Sequence, residues 1–320
     1  MSRVVPLFTL EGVPDAEIST HHFSTEDKLG LSLLRFQRAP SDDVVLLVHG
    51  QTASSDMFIM PEHRNLVSYL LDNGFTDVWT LDSRMSNRYP YNLPPHSYCM
   101  DDVALYDFPA ALARMREEIG DRRIHVICHC LGSVAFTMSL FGRAIDGIAS
   151  VISNGAALTP AVHRWARAKS LVGPFLVESV FRFPFANPNW HEGRRFSLGK
   201  ALAKGVSMFH HECDVPACHM LSFMWGAGWP AMYEHENLNP VTHERIGDLL
   251  GGTTLNYHRH TMKMIRAGNR AVKWDPTEPQ VTTGCRTTIW STPPTSRRPS
   301  SSSWATGTTS SRTPTGAASG

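Results

Sequence analysis

The pentapeptide CHCLG (128–132) constrains the fold of this chain more than any other feature. It stands between the apolar run RRIHVI, which predicts a buried strand, and SVAFTMSLF, which predicts a helix. A strand that passes directly into a helix makes a sharp turn, which needs small residues two positions before and after its central residue. Cys128 and Gly132 meet that requirement, so Cys130 takes the position of an exposed nucleophile.

Two interpretations of Cys130 follow. In the catalytic one, its sulfur stands at the N-terminus of the helix, where the helix dipole favours the thiolate. In the other, Cys130 is an inert core residue, as most buried cysteines are. The strand and helix on either side of the turn favour the catalytic interpretation.

A second motif lies upstream, where the apolar run VVLLV ends at His49-Gly50 and Gln51 follows. With a nucleophile at such a turn, the loop after a neighbouring strand supplies one oxyanion-hole amide, and the residue after the nucleophile supplies the other. We therefore expect the oxyanion hole to consist of two backbone N–H groups, those of Gln51 and Leu131. The turn is expected to be supported by Cys128, His129, Gly132, His49 and Gly50.

Apolar runs alternate with helical patterns over the first half of the chain, which predicts an α/β fold with a doubly wound, mainly parallel sheet. Strands are predicted in LSLLRFQRAP, VVLLVHG, DVWTLDSR, RRIHVICHC and GIASVISNGAA. From about 158 to 251, helical stretches rich in Trp, Phe, Met and His replace the strands. We expect a helical lid here, whose aromatic residues either shape a substrate pocket or simply form core.

Composition excludes several classes of protein. The net charge of +1 gives no electrostatic case for nucleic acid or an acidic membrane surface. No apolar run approaches the roughly 20 residues that span a bilayer, and the N-terminus has no secretory pattern. We expect a cytoplasmic protein with no transmembrane segment.

The six cysteines form no regular framework, which favours reduced thiols. The cluster HHEC (210–213) with Cys218-His219 raises the possibility of a metal site, but its spacing fits no zinc pattern well. A helix end rich in His and Cys is the alternative that we favour, so no cofactor and no metal are expected.

The motifs together identify a resemblance. The chain resembles the α/β-hydrolase region that accompanies bacterial cholesterol-oxidase-type GMC flavoenzymes, and is more distantly similar to acid lipases. The resemblance spans roughly residues 23–274 and rests on LLVHGQTASSDMF (46–58), DVWTLDSRMS (77–86), DDVALYDFPAAL (101–112), HVICHCLGS (125–133) and NLNPVTHERIGDLLGGTTLNYHRH (237–260).

This resemblance implies a cysteine at the turn as a family trait, a lipid-like or steroid-related substrate, and a GMC flavin oxidoreductase as a partner. The flavin-binding half of such flavoenzymes is not found in the chain, since no GxGxxG opens a βαβ unit near the N-terminus. The resemblance thus implies an acyl ester or thioester hydrolase. The alternatives are a non-catalytic lipid-binding partner of a cholesterol oxidase and a nonfunctional truncated product.

The sequence after Pro279 does not fit the rest. A triad needs an acid and then a histidine from loops after the last strands, but 280–320 is a Ser/Thr/Pro-rich tail without histidine. The division predicted is therefore a hydrolase core at 1–279 and a non-native or disordered tail at 280–320, with the C-terminal strands and triad loops lost. His258, His260, His210 and His211 are the weaker candidates for a replacement base.

The genetic code suggests a frameshift near Gln280. Serine codons of the TCN type, read one base earlier, encode only Phe, Leu, Ile or Val. Threonine codons shifted in the same way encode only Tyr, His, Asn or Asp. The tail then becomes compatible with a helix, an apolar strand and a G-x-x-D loop, as in TPVLLVMGDRD. These are the elements that the fold needs at this point.

Overall fold

The computed structural model describes residues 8–89, 98–155, 158–159, 162, 164–180, 182–183, 185–192 and 197–274. The predicted tail and Cys285 lie outside the described residues. Six strands form the main sheet: β1 (Glu17–Ser24), β2 (Gly30–Gln37), β3 (Asp43–Val48), β4 (Asp77–Asp82), β5 (Arg123–His129) and β6 (Ile148–Asn154).

The strands of this sheet follow the order β1-β2-β4-β3-β5-β6. β4, β3, β5 and β6 are parallel, whereas β2 pairs antiparallel with both β1 and β4. The predicted α/β class with a mainly parallel sheet is confirmed. β1 was not predicted, because its sequence EISTHHFS is mostly polar and both of its faces are at most half-buried.

The apolar run that predicts β3 is buried on both faces of the sheet. Leu46 packs with Phe108 and Phe136 on one face, and Leu47 packs with Val67 on the other. The rings of Phe108 and Phe136 meet edge to face at 5.1 Å. Burial on both faces accounts for a continuous apolar run rather than an alternating one.

Helices cover both faces of the sheet. The first four are α1 (Leu66–Asp72), α2 (Met100–Asp102), α3 (Phe108–Ile119) and α4 (Cys130–Phe141). The Asn65 side chain caps α1 by accepting a hydrogen bond from the Ser68 N–H. Glycines follow the ends of α1 and α3, where Gly74 and Gly120 have φ of 94° and 61°.

A helical segment follows β6 and adds no strand to the main sheet within the described residues. It contains α5 (Arg164–Phe175), α6 (Leu198–Ser207), α7 (Pro216–Trp225), α8 (Pro240–Glu244) and α9 (Ile246–Leu249). The short pair β7 (Phe185–Ala186) and β8 (Thr253–Thr254) then leads into α10 (Leu255–Arg266). Among the residues that the structure describes, no helix is long and apolar enough to cross a membrane.

β6 forms one edge of the sheet as far as the structure describes it, because it pairs with β5 alone. Its side chains are half-buried or exposed along its whole length, and Ile152 is 60% exposed. A parallel strand is usually covered on both faces. This edge is therefore unlike the rest of the sheet.

Candidate active site at the end of β5

The turn between β5 and α4 has the conformation that its sequence predicts. β5 ends at His129, α4 begins at Cys130, and Cys130 has a φ of 53°. This left-handed region costs a residue with a side chain about 1–2 kcal/mol. Such strain is characteristic of functional sites, where the surrounding structure holds it in place.

Two glycines allow the turn to approach β3 closely. A Cβ at Gly132 would stand 2.1 Å from the backbone oxygen of His49, and a Cβ at Gly50 would stand 2.8 Å from the Cβ of Cys130. Neither position accepts a larger residue without movement of the backbone. Cys128, at the last position of β5 but one, is 1% exposed and packs in the main core.

The two predicted oxyanion amides both point at the sulfur of Cys130. Hydrogen bonds from the backbone N–H groups of Leu131 and Gln51 lower the pKa of the Cys130 thiol. Burial has the larger effect and raises this pKa above its ordinary value. Burial and the two amides therefore act on the Cys130 thiol in opposite directions, and a base that removes its proton would favour reaction.

His49 and His129 are supporting residues, and no hydrogen bond joins either of them to Cys130. The Nδ1 of His49 donates to the Gly50 oxygen at 2.6 Å, and its Nε2 accepts from the Ser83 N–H at 3.2 Å. The His129 ring bonds through Nδ1 to the Asn154 side chain at 2.8 Å. Both histidines thus hold the loops around the turn.

The comparisons with known proteins agree with this geometry. Residues 43–211, more than half of the chain, match the family model described as the alpha/beta hydrolase fold. This chain belongs to the α/β-hydrolase family.

The chain is similar to lipases of animals. It is 31% identical to Lipase 1 of Drosophila melanogaster over 188 residues, which are 53% of this chain and 41% of that one. Human gastric triacylglycerol lipase is 28% identical over 205 residues, 58% of this chain and 49% of the lipase. The chain thus spans about half the length, or less, of these relatives. An esterase of Pyrococcus furiosus aligns with a TM-score of 0.40 and 22% identity over 56% of this chain and 64% of that one.

Two of the weaker base candidates, His258 and His260, have partners other than Cys130. His258 stacks on Trp225 at 4.7 Å, and His260 bonds through Nε2 to the Val272 oxygen at 2.7 Å. Burial lowers the pKa of both to about 4. In the part of the chain that the structure describes, no histidine forms a hydrogen bond with Cys130.

Sequence reasoning missed Tyr233, which lies near the candidate nucleophile. Burial raises the pKa of its phenol, and the charges that Cys218 and Cys130 would carry as thiolates raise it further. The helical segment therefore reaches the vicinity of Cys130 through this residue. No sequence signal marks Tyr233, because it stands in an irregular stretch between α7 and α8.

The histidines and cysteines of 210–219 do not form a single group in the structure. His210 stacks on His219 at 5.0 Å, and His211 is exposed. Cys213 and Cys218 instead approach two histidines that the sequence pattern did not include, His235 and His243.

Proposed function

We propose that this chain is an acyl hydrolase that acts on esters or thioesters of lipid-like molecules through Cys130. One observation carries the proposal: a strained Cys130 stands at the end of β5, and the amides of Gln51 and Leu131 converge on its sulfur. The thiolate would attack the acyl carbonyl carbon, and both amides would stabilise the oxyanion. The bond to the leaving alcohol or thiol then breaks, and water hydrolyses the acyl-enzyme.

A lipid-like substrate is supported by the helical segment, which we propose to be a lid. It has an open cleft of about 830 Å³ with a mainly apolar lining that includes Trp165, Phe209, Phe223 and Trp229, together with Lys169 and with no residue of the turn around Cys130. Apolar clefts of this size accommodate small lipophilic ligands. The lipase relatives support the same class of substrate.

The acid and the histidine are proposed to be encoded in another reading frame after Gln280. The position of β6 supports this proposal: among the described strands it pairs with β5 alone, and an additional strand beside it would bring its acid loop to the same end of the sheet as Cys130. The nucleotide sequence tests it. A continuous frame that encodes an apolar strand, a G-x-x-D loop and a later histidine is expected, and its absence refutes the frameshift.

Association with a flavin oxidoreductase remains a prediction of the resemblance. The relatives named above are lipases and an esterase, and nothing in the described residues favours this partner. A purely binding role is the alternative that the following experiment separates from catalysis.

The experiment is a burst measurement with p-nitrophenyl butyrate on the full chain. At a pH high enough to ionise the thiol, formation of the acyl-enzyme releases one equivalent of nitrophenol rapidly, even when deacylation is slow for want of a base. We expect the burst to disappear in Cys130→Ala and to persist in Cys99→Ala, which removes a buried thiol far from the turn in sequence. A burst that Cys130→Ala leaves unchanged refutes the catalytic role of Cys130.

A further inference from the structure

Four potential metal ligands converge in the helical segment, and none of them belongs to the turn around Cys130. Cys213 lies just before α7, Cys218 lies within α7, His235 lies in a single turn of 3-10 helix, and His243 lies in α8. One ligand atom from each of these residues lies within 4.8 Å of all the others. Three separate stretches of chain are thus folded to bring two thiols and two imidazoles together.

The distance between the ligand atoms of Cys218 and His235 is that expected of a tetrahedral site. Zn–S bonds of about 2.3 Å and Zn–N bonds of about 2.0–2.1 Å place neighbouring ligand atoms about 3.3–3.8 Å apart in a tetrahedron. The sulfur of Cys218 lies 3.4 Å from the Nε2 of His235. The rings of His235 and His243 are tilted by 51° with centroids 4.6 Å apart, so they are not simply stacked.

An unpartnered nitrogen is the second, independent observation. The Nε2 of His243 is buried and has no hydrogen-bond partner among the residues that the structure describes. A buried polar atom without a partner is costly, so each instance requires an explanation. A cation between the four side chains supplies the missing partner.

We propose that Cys213, Cys218, His235 and His243 bind a zinc ion as a closed structural site. A set of two thiolates and two imidazoles is typical of zinc, and four protein ligands leave no position for a substrate. The Cys-x4-Cys spacing lies within the zinc range, whereas the seven residues between the histidines exceed the usual three to five. The site was therefore visible only in part from the sequence.

Further hydrogen bonds hold the cysteine-bearing segment in place. The Nε2 of His219 bonds to the backbone oxygen of Cys213 at 2.8 Å, and its Nδ1 bonds to Ser207 at 2.9 Å. The Ser222 hydroxyl donates to the Cys218 oxygen at 2.9 Å. Such outer contacts orient the ligands of metal sites.

The proposed ion would fasten α7 to the part of the helical segment that contacts the core. Just after His243, Arg245 pairs with Glu62 at 3.1 Å, and Thr242 donates to the same carboxylate at 2.9 Å. Glu62 belongs to the loop before α1. Metal binding would therefore fix the helical segment relative to the main sheet without a part in acyl transfer.

The test is metal binding by the full chain. We expect the purified protein to hold one equivalent of zinc by mass spectrometric metal analysis. Cobalt(II) substitution should give the intense visible bands and the near-ultraviolet thiolate charge-transfer band of a tetrahedral site. Loss of an outer contact alone weakens metal binding about 10–100-fold, so Cys218→Ser and His243→Asn should each weaken it by more. His211→Asn, an exposed neighbour outside the set, should bind metal as the unaltered chain does.

Several results would overturn the proposal. One is a chain with native circular dichroism that binds no stoichiometric zinc or cobalt. Another is cobalt binding that persists in both ligand variants, and a third is a disulfide between Cys213 and Cys218 in protein purified under reducing conditions. If Cys218→Ser does not fold, two other measurements test the metal site: metal binding by His243→Asn, and titration of the unaltered chain with a chelator. Removal of a structural ion by the chelator must lower the melting temperature.

Discussion

Replacement of Cys130 by alanine and by glycine tests whether the turn after β5 stores backbone strain. The alanine variant is the reference, because it removes the sulfur and keeps a Cβ. Any difference between Cys130→Ala and Cys130→Gly then reports the cost of a Cβ at a φ of 53°. This comparison is independent of whether the chain hydrolyses any substrate.

The magnitude follows from two opposing contributions. The left-handed conformation costs alanine about 1–2 kcal/mol, and glycine avoids this cost. Glycine loses about 0.5–1 kcal/mol through the greater freedom of its unfolded chain. Cys130→Gly should therefore be more stable than Cys130→Ala by roughly 1 kcal/mol.

The control is the same pair of residues in an ordinary helix. Ala201 is exposed within α6, where Ala201→Gly should lower the free energy of unfolding by about 1 kcal/mol. Urea unfolding with an unchanged m-value measures both differences. If glycine is the less stable residue at position 130 as well, the strain argument is refuted.

Two further predictions concern packing and pH. Gly132→Ala should lower the free energy of unfolding by about 1–3 kcal/mol or more, because its Cβ meets the His49 backbone. Gly205 in α6 is the control: it has open space around it, so Gly205→Ala should raise the free energy of unfolding by about 1 kcal/mol. Equal effects of the two substitutions in urea unfolding would contradict the packing argument. Burial lowers the pKa of His258 to about 4, below its unfolded value near 6.5. The folded state therefore keeps this histidine neutral, and its full contribution to the free energy of unfolding is present above about pH 6.5 and is lost as the pH falls towards 4. His258→Phe, which keeps a ring against Trp225, should thus lose less stability than the unaltered chain between pH 7 and pH 4.5, and parallel pH profiles would contradict this assignment.

The strands and the turn were predictable because local sequence determines them. Residues 44–48 are apolar without interruption, as is typical of a strand covered on both faces, and the structure buries all of them. Gly132 was recognisable because the sharp turn after β5 leaves no room for a side chain. The edge strand β1 was missed because its polar sequence carries little of this signal.

Contacts between distant segments were not predictable from the sequence. His235 and His243 approach Cys218 only through the packing of α7 against the irregular stretch that follows it, and no periodic pattern encodes that packing. The burial that raises the pKa of the Cys130 thiol was likewise not visible in the sequence, which shows only the start of the helix that follows it.

The outer edge of β6 has a consequence for handling the protein. No strand of the described residues pairs with β6 on that side, and Ile152 is 60% exposed. Open, apolar edges of this kind recruit strands from other molecules, which leads to aggregation. A lysine in place of Ile152 would act as a gatekeeper against such pairing, so Ile152→Lys is the variant with which to begin purification at high concentration.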